Sequence, residues 1–152
     1  MSESAVRKAG GIVVRYDGDR PRVLLVTARA RRKRWVLPKG TVEDRELPAA
    51  TALREVEEEG GVTGTVVGPA GTTEYRTNGE RVRVDYFIIE HTGRHEHEPE
   101  GREIEWCAIE DAIAMLSFAS ARRILLEAHP QIMERAEQHA ARRGARSTRS
   151  TR

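Results

Sequence analysis

Apolar residues in this chain gather in short runs of β-strand length, broken by turn residues, and in one stretch they recur at helical spacing instead. Val13-Val14 and Val23-Leu24-Leu25-Val26 are two such runs, separated by Asp17-Gly18-Asp19 and Pro21. That composition predicts two strands with a reversal between them. Arg29 to Arg34 is a basic loop, followed by the apolar step Trp35-Val36-Leu37-Pro38, and Gly40 to Leu47 is a loop rich in acids. From Pro48 to Glu59 the period changes. Ala49, Ala52, Leu53 and Val56 fall at i, i+3, i+4 and i+7, one apolar stripe on a helix. Pro48 suits the first helical turn, where no N–H partner is needed, and Gly60-Gly61 suits the end.

Beyond the helix, Thr65 to Val67 and Gly71 to Tyr75 read as extended, and Asn78-Gly79 is a strong hairpin turn. Val82 to Ile89 is a strand that alternates at first and then becomes continuously apolar. His91 to Glu103 reads as a polar loop and Ile104 to Ile109 as a short strand. A second helix is predicted from near Glu110, with Ile113, Leu116, Ile124 and Leu125 as its apolar contacts and an interruption over Ser117 to Ser120. Pro130 predicts a further boundary before a polar helix. With no internal repeat, the order strands, helix, strands, helix predicts a mixed α/β sandwich.

Length and composition fit one soluble domain. The chain has 152 residues, 38% hydrophobic and 33% charged; single domains usually run about 100–200 residues. No apolar run approaches the roughly 18 residues of a membrane span, and MSESAVRKAGG carries no signal-like stretch, so a cytoplasmic location is expected. The single cysteine, Cys107, excludes an internal disulfide framework and a cysteine-rich metal site, and should be buried in its strand. The formal charge is +2, but five arginines lie within 142–152 with no acid among them, and without these the rest stands at −3. The basic balance is therefore a property of the tail and implies no specific nucleic-acid partner. The domain is expected over 1–140, and the segment 141–152 is expected to be disordered, with contact to polyanions as its alternative role.

The chemistry concentrates on the helix. Glu55, Glu58 and Glu59 lie at i, i+3 and i+4 and form one carboxylate patch, while Glu57 points elsewhere. Like charges at this spacing repel. Either the patch is a solvated acidic face, or a cation offsets the repulsion. Carboxylate oxygens suit a hard cation such as Mg²⁺, held by a few carboxylates, waters and substrate phosphates. Arg54 can pair with one carboxylate and orient it.

The residues around the patch weigh against the solvated face. Gly40, Glu46, Arg54-Glu55-Val56, Glu58-Glu59 and Gly61-Val62 fill nine constrained positions over 23 residues. This spacing resembles the Nudix box, G-x5-E-x7-R-E-U-x-E-E-x-G-U, with U a bulky aliphatic residue. The resemblance implies a Nudix α/β/α sandwich with a mixed β-sheet and a loop–helix–loop that binds divalent metal on a pyrophosphate. It implies that Glu55, Glu58 and Glu59 bind the metal, joined by a backbone carbonyl at Gly40 or the adjacent Lys39, and that Arg54 and Glu46 brace helix against loop. It further implies hydrolysis of a pyrophosphate bond with Mg²⁺, or Mn²⁺ as a substitute, in which the metal polarises phosphorus and activates water. The catalytic base is a glutamate whose identity varies across the family. Glu58 is one candidate. Glu100, six residues before Trp106 in EHEPEGREIEW, is another, with Glu98 and Glu103 as competitors. One departure stands out: Arg45 precedes Glu46 where many relatives carry Gly.

Trp35-Val36-Leu37-Pro38-Lys39-Gly40 before the box, and Glu105-Trp106 with Ile109-Glu110-Asp111-Ala112 after it, are similar to the branch that hydrolyses diadenosine polyphosphates and diphosphoinositol polyphosphates. The resemblance covers roughly residues 8–128. Dinucleoside polyphosphate, above all diadenosine tetraphosphate, is the favoured substrate class. Diphosphoinositol polyphosphate and nucleoside triphosphates, oxidised or ordinary, follow. Arg29, Arg31, Arg32, Lys33 and Arg34 precede Lys39, and arginine grips phosphate oxygens in pairs; the alternative is a solvated basic loop. Trp35 serves either core packing or base stacking. Tyr75 and Tyr86 read first as strand residues, with Tyr86 kept as a substrate contact. His95 and His97 flank Glu96 at zinc-like closeness, but no further ligand set accompanies them. A catalytically silent sensor and an RNA-end pyrophosphohydrolase are the rival functions. A monomer or homodimer is expected.

Overall fold

The computed structural model describes residues 4–18, 20–29, 34–95 and 101–149. Its frame is a mixed sheet in the order β3-β2-β1-β6-β5, built from β1 (Val6–Asp17), β2 (Arg20–Thr27), β3 (Trp35–Val36), β5 (Val62–Thr77) and β6 (Glu80–Arg94). Two short strands sit off this path: β4 (Lys39–Thr41) pairs with β1, and β7 (Ile104–Ala108) pairs with β2. The β1–β6 pair is parallel and the others are antiparallel. Helix α1 (Pro48–Gly60) covers one face; α2 (Ile109–Met115) and α3 (Ala119–Arg149) cover the other.

The continuous apolar runs of β1 and β2 follow from burial on both faces. Ile12, Val14, Val23 and Leu25 join the larger core beneath α2 and α3, while Val13, Leu24 and Val26 join the smaller core beneath α1. Side chains alternate across the sheet, so each run feeds both cores in turn. Gly11 lets α1 approach: a Cβ there would lie 2.9 Å from Val56 and 2.7 Å from Ile89.

Several boundaries differ from the sequence expectation. The segments around 65–67 and 71–75 are one strand, β5, with register shifts at Thr63/Gly64, Val66/Gly68 and Pro69/Gly71. It is an edge strand, where bulges and a proline are tolerated. The expected loop from His91 begins instead as the end of β6, which runs to Arg94 against β5. Asn78 (φ 49°) and Gly79 (φ 77°) make the tight turn between them, as expected. Cys107 is buried, with its Sγ 3.6 Å from the Met115 sulfur.

Pro130 does not end a helix; it lies inside α3. An interior proline costs about 3 kcal/mol. The apolar stripe Ala121, Ile124, Leu125, Ala128, Ile132 and Ala136 continues across it, all buried. Each fully buried Ile or Leu contributes about 1.5–3 kcal/mol, which outweighs the proline penalty. The helix then runs to Arg149, through most of the segment for which disorder is the sequence expectation; Ala140, Ala141, Arg142 and Arg143 are strong helix formers. Among the described residues no helix is long and apolar enough to cross a membrane.

Ile132 lies beyond the proline. Ile132→Ala should therefore cost about 2–5 kcal/mol, as for a core isoleucine. A change below about 1 kcal/mol in urea unfolding, the range of most surface substitutions, would mean that the packed helix stops at Pro130.

Candidate active site

The loop before α1 and the helix itself are held together by one guanidinium. Arg54 Nε and Nη2 each donate to Glu46 at 2.9 Å, a bidentate pair. Nη2 also donates to the Thr41 carbonyl at 3.1 Å, and Nη1 reaches Glu55 at 2.8 Å and Glu58 at 3.5 Å. The buried Thr51 hydroxyl donates to Glu46 at 2.6 Å. Hydrogen bonds from Arg54 and then from Thr51 hold the Glu46 carboxyl down at about 2, and the same pairing raises the Arg54 pKa. Arg45 takes the left-handed conformation, φ 65°. That is the conformation glycine adopts freely, and a larger residue bears a penalty of about 1–2 kcal/mol. Gly61 closes the helix, also left-handed at φ 67°, with its N–H on the Glu57 carbonyl.

The carboxylates are unequal. Glu58 is half exposed, at 46% of its side chain. Glu59 is buried, at 10%. Its Oε2 accepts the Lys39 backbone N–H at 3.0 Å and its Oε1 lies 3.3 Å from Arg102 Nη2. Burial pushes its carboxyl up to about 7, and the neighbouring Glu55 charge adds to this; Arg102 and the Lys39 N–H oppose it. Gly40 faces Glu55 so closely that a Cβ would fall on the Glu55 carboxyl. Glu55 and Glu59 are thus brought together beside β4, with Glu58 at their exposed edge. Among the described residues no three acidic, imidazole or thiol groups converge tightly enough to cage a cation alone. Arginines take up part of each carboxylate's capacity.

Lys39 connects this patch to a cleft of about 430 Å³ that its own side chain lines. While its backbone serves Glu59, its ammonium lies 3.5 Å from the Tyr75 hydroxyl inside the cleft. Burial lowers the Lys39 pKa, against the opposing pull of Glu59. The cleft is further lined by Val36, Leu37, Arg76, Tyr86 and Phe118. Arg34 lies over the Phe118 ring at 5.5 Å, so the last residue of the basic loop reaches the cleft.

Other sequence candidates fall elsewhere. Trp35 packs against the larger core, its N–H donating to the Ser117 hydroxyl and its carbonyl accepting the Ser117 N–H, and is not among the lining residues. Tyr86 does line the cleft but is only 3% exposed. Arg29 is exposed at the end of β2. Glu103 is pinned to Thr27 through its backbone, with its residue exposed. Glu98, Glu100, Arg31, Arg32, Lys33, Glu96 and His97 lie outside the described residues. His95 sits 3.6 Å from Glu57. Sequence reasoning missed Arg102 and Phe118. Arg102 was legible only as a lone cation in an acidic segment, and Phe118 as an aromatic in a helix break.

Comparison with known proteins accords with this geometry. The NUDIX domain family model matches residues 6–128. The chain is 36% identical over 129 residues to the putative mutator protein MutT4 of Mycobacterium tuberculosis (strain CDC 1551 / Oshkosh), covering 76% of this chain and 51% of that protein. It is 37% identical over 98 residues to mouse diphosphoinositol polyphosphate phosphohydrolase 3-alpha, covering 62% and 59% respectively. The chain thus spans between half and three-fifths of the length of these relatives. A C. elegans Ap4A hydrolase binary complex superposes with a TM-score of 0.67 at 25% identity, over 84% of this chain and 98% of that one. The E. coli dihydroneopterin triphosphate pyrophosphohydrolase gives 0.66 at 20% identity, over 82% and 95%, a likeness of fold. With its box in place on α1 and the family model matched across most of its length, the chain belongs to the NUDIX family.

Proposed function

We propose that this protein is a divalent-metal-dependent pyrophosphohydrolase whose favoured substrate is a dinucleoside polyphosphate such as diadenosine tetraphosphate. The observation that carries this reading is the pairing of a buried Glu59 carboxylate with Glu55 beside Gly40, at the end of a helix that offers no cation in its last turn. Carboxylates crowded at a helix C-terminus are disfavoured by each other and by the helix dipole. Hard oxygen donors held under those conditions fit Mg²⁺, with Mn²⁺ as a substitute. Glu55, Glu58 and Glu59 would hold the metal with a backbone carbonyl at Gly40 or Lys39; Mg²⁺ keeps several waters and uses the substrate's phosphates, so it needs no closed cage. A bound divalent ion supplies charge neutralisation on phosphate oxygens and an acidified water.

The remaining work falls to the chain's own groups. Arg54 and Glu46 brace the helix against the loop. Glu58, the most accessible of the three, is a base for the attacking water's proton, and Glu100 is the alternative. Lys39 and Arg34 offer cations to the phosphate chain, with Arg29 as a further candidate. Tyr75 and Phe118 offer flat apolar surface for a base, which favours a nucleotide over a bare inositol. The second reading, a diphosphoinositol polyphosphate, draws support from the mouse relative and from the cations around the cleft. A cytoplasmic location belongs to the same proposal, supported by the single, unpaired Cys107.

A substrate panel with Mg²⁺, run in ¹⁸O-labelled water with products identified by mass, tests the reading. Diadenosine tetraphosphate should give the highest kcat/KM, ahead of diphosphoinositol polyphosphates and nucleoside triphosphates. Leadership by the triphosphates would reject the branch.

Glu58→Gln should lower kcat about 10²–10⁴-fold, as loss of a general base does, with Glu100→Gln nearly neutral. The reverse pattern moves the base to the outer segment, and full turnover in both variants removes either glutamate as base.

Glu59 also sets a pH dependence. Its folded value of about 7 stands above the ordinary 4.5. Its contribution is therefore complete below pH 4.5 and lost as pH rises through 7 in metal-free protein. Glu46, at about 2, acts oppositely, and its contribution is lost only below pH 4.5. Tm in EDTA should fall between pH 5.5 and 8, and the rise in Tm on adding Mg²⁺ should be larger at pH 8. An equal or larger rise at pH 5.5 would contradict this assignment.

A further inference from the structure

Arg102 lies just ahead of β7, and its side chain is 13% exposed. Its fork is divided between two elements. Nη2 lies 3.3 Å from Glu59 Oε1 on α1, and Nη1 donates to the Thr27 carbonyl at the end of β2 at 3.0 Å. The next residue locks the same place. Glu103 N–H donates to the Thr27 hydroxyl at 3.0 Å, and Thr27 N–H donates to the Glu103 carbonyl at 3.0 Å. Thr27 itself is buried, at 1% exposure. The guanidinium is therefore fixed from behind by the sheet and presents one face to the carboxylate.

Resting on the metal-dependent reading above, we propose that Arg102 is a positioning residue that holds the Glu59 carboxylate in place for a divalent cation. An ionised carboxylate has about four lone-pair sites. Arg102 engages one oxygen and the Lys39 N–H the other, which leaves capacity on both for a metal. Without Arg102, Glu59 would lose its one guanidinium partner and keep the Lys39 N–H, the more distant Lys39 charge and the neighbouring Glu55 carboxyl, a weaker hold on the rotation of its carboxyl plane. Partners that orient a metal ligand in this way tune the metal affinity, and their loss typically costs about 10–100-fold. Lysine is a poor replacement, because a single ammonium lacks the rigid fork that joins two acceptors.

The test is Mn²⁺ binding, followed by the loss of the free-ion EPR signal, in full-length wild type, R102A, R102K, E59Q and the R102A/E59Q double variant. Mg²⁺ half-saturation and substrate KM are measured alongside. R102A should bind Mn²⁺ about 10–100-fold more weakly and raise the Mg²⁺ needed for half-maximal rate by a similar factor, with substrate KM at saturating Mg²⁺ little changed. R102K should fall between. In the E59Q background the R102A change should have no further effect, since the carboxylate it positions is gone. If R102A does not fold by circular dichroism, R102K carries the test and must weaken Mn²⁺ binding severalfold. Unchanged or tighter Mn²⁺ binding in the folded variant, or an equal loss in the E59Q background, overturns this inference alone. Wild-type protein that binds no Mn²⁺ overturns the metal-dependent reading and this inference with it.

Discussion

The placement of Glu59 constrains the rest of the site. A carboxylate taken out of water costs several kcal/mol unless it is paired and hydrogen-bonded, and this one sits at a helix C-terminus beside another glutamate. Three elements converge to hold it: β4 through the Lys39 N–H, the approach to β7 through Arg102, and α1 itself. Each must be in register for the carboxylate to stay. Lys39 is in register only because β4 pairs with β1 at Gly10, where a Cβ would lie 2.5 Å from the Pro38 carbonyl. The loop ahead of α1 is thereby tied to the centre of the sheet.

A second constraint follows from charge. Six acids stand between Glu43 and Glu59 besides Asp44, and Arg54 alone touches four of them: Glu43, Glu46, Glu55 and Glu58. Its bidentate grip on Glu46 is the best-formed of these contacts, and the planar fork fixes orientation as well as charge. The looser reach to Glu58 leaves that carboxylate half exposed to solvent. One guanidinium thus sorts the acids into a structural one, a shielded one and an accessible one.

Lys39 gives the cleft and the box a common residue. Its backbone serves the buried carboxylate and its ammonium faces Tyr75 across the cleft. The cleft and the carboxylates are joined by one short strand of three residues. The neighbouring cations, Arg34 over Phe118 and Arg76 in the lining, come from different ends of the sheet.

The chain by itself determined much of this. The apolar runs of β1 and β2, helical spacing in α1 and the box residues from Gly40 to Val62 are local patterns, because backbone period and cap chemistry depend on near neighbours. The acidic trio was legible for the same reason: i, i+3 and i+4 share a helix face. Tertiary structure alone decided which acid is buried, since Glu58 and Glu59 are adjacent in sequence and differ only in what packs over them. It also decided that α3 continues through Pro130, where a buried stripe outweighs a local penalty, and that Trp35 belongs to the core. Arg102 could not be foreseen, because its partners Thr27 and Glu59 lie 75 and 43 residues away, and only the folded sheet brings a distant cation to a buried anion.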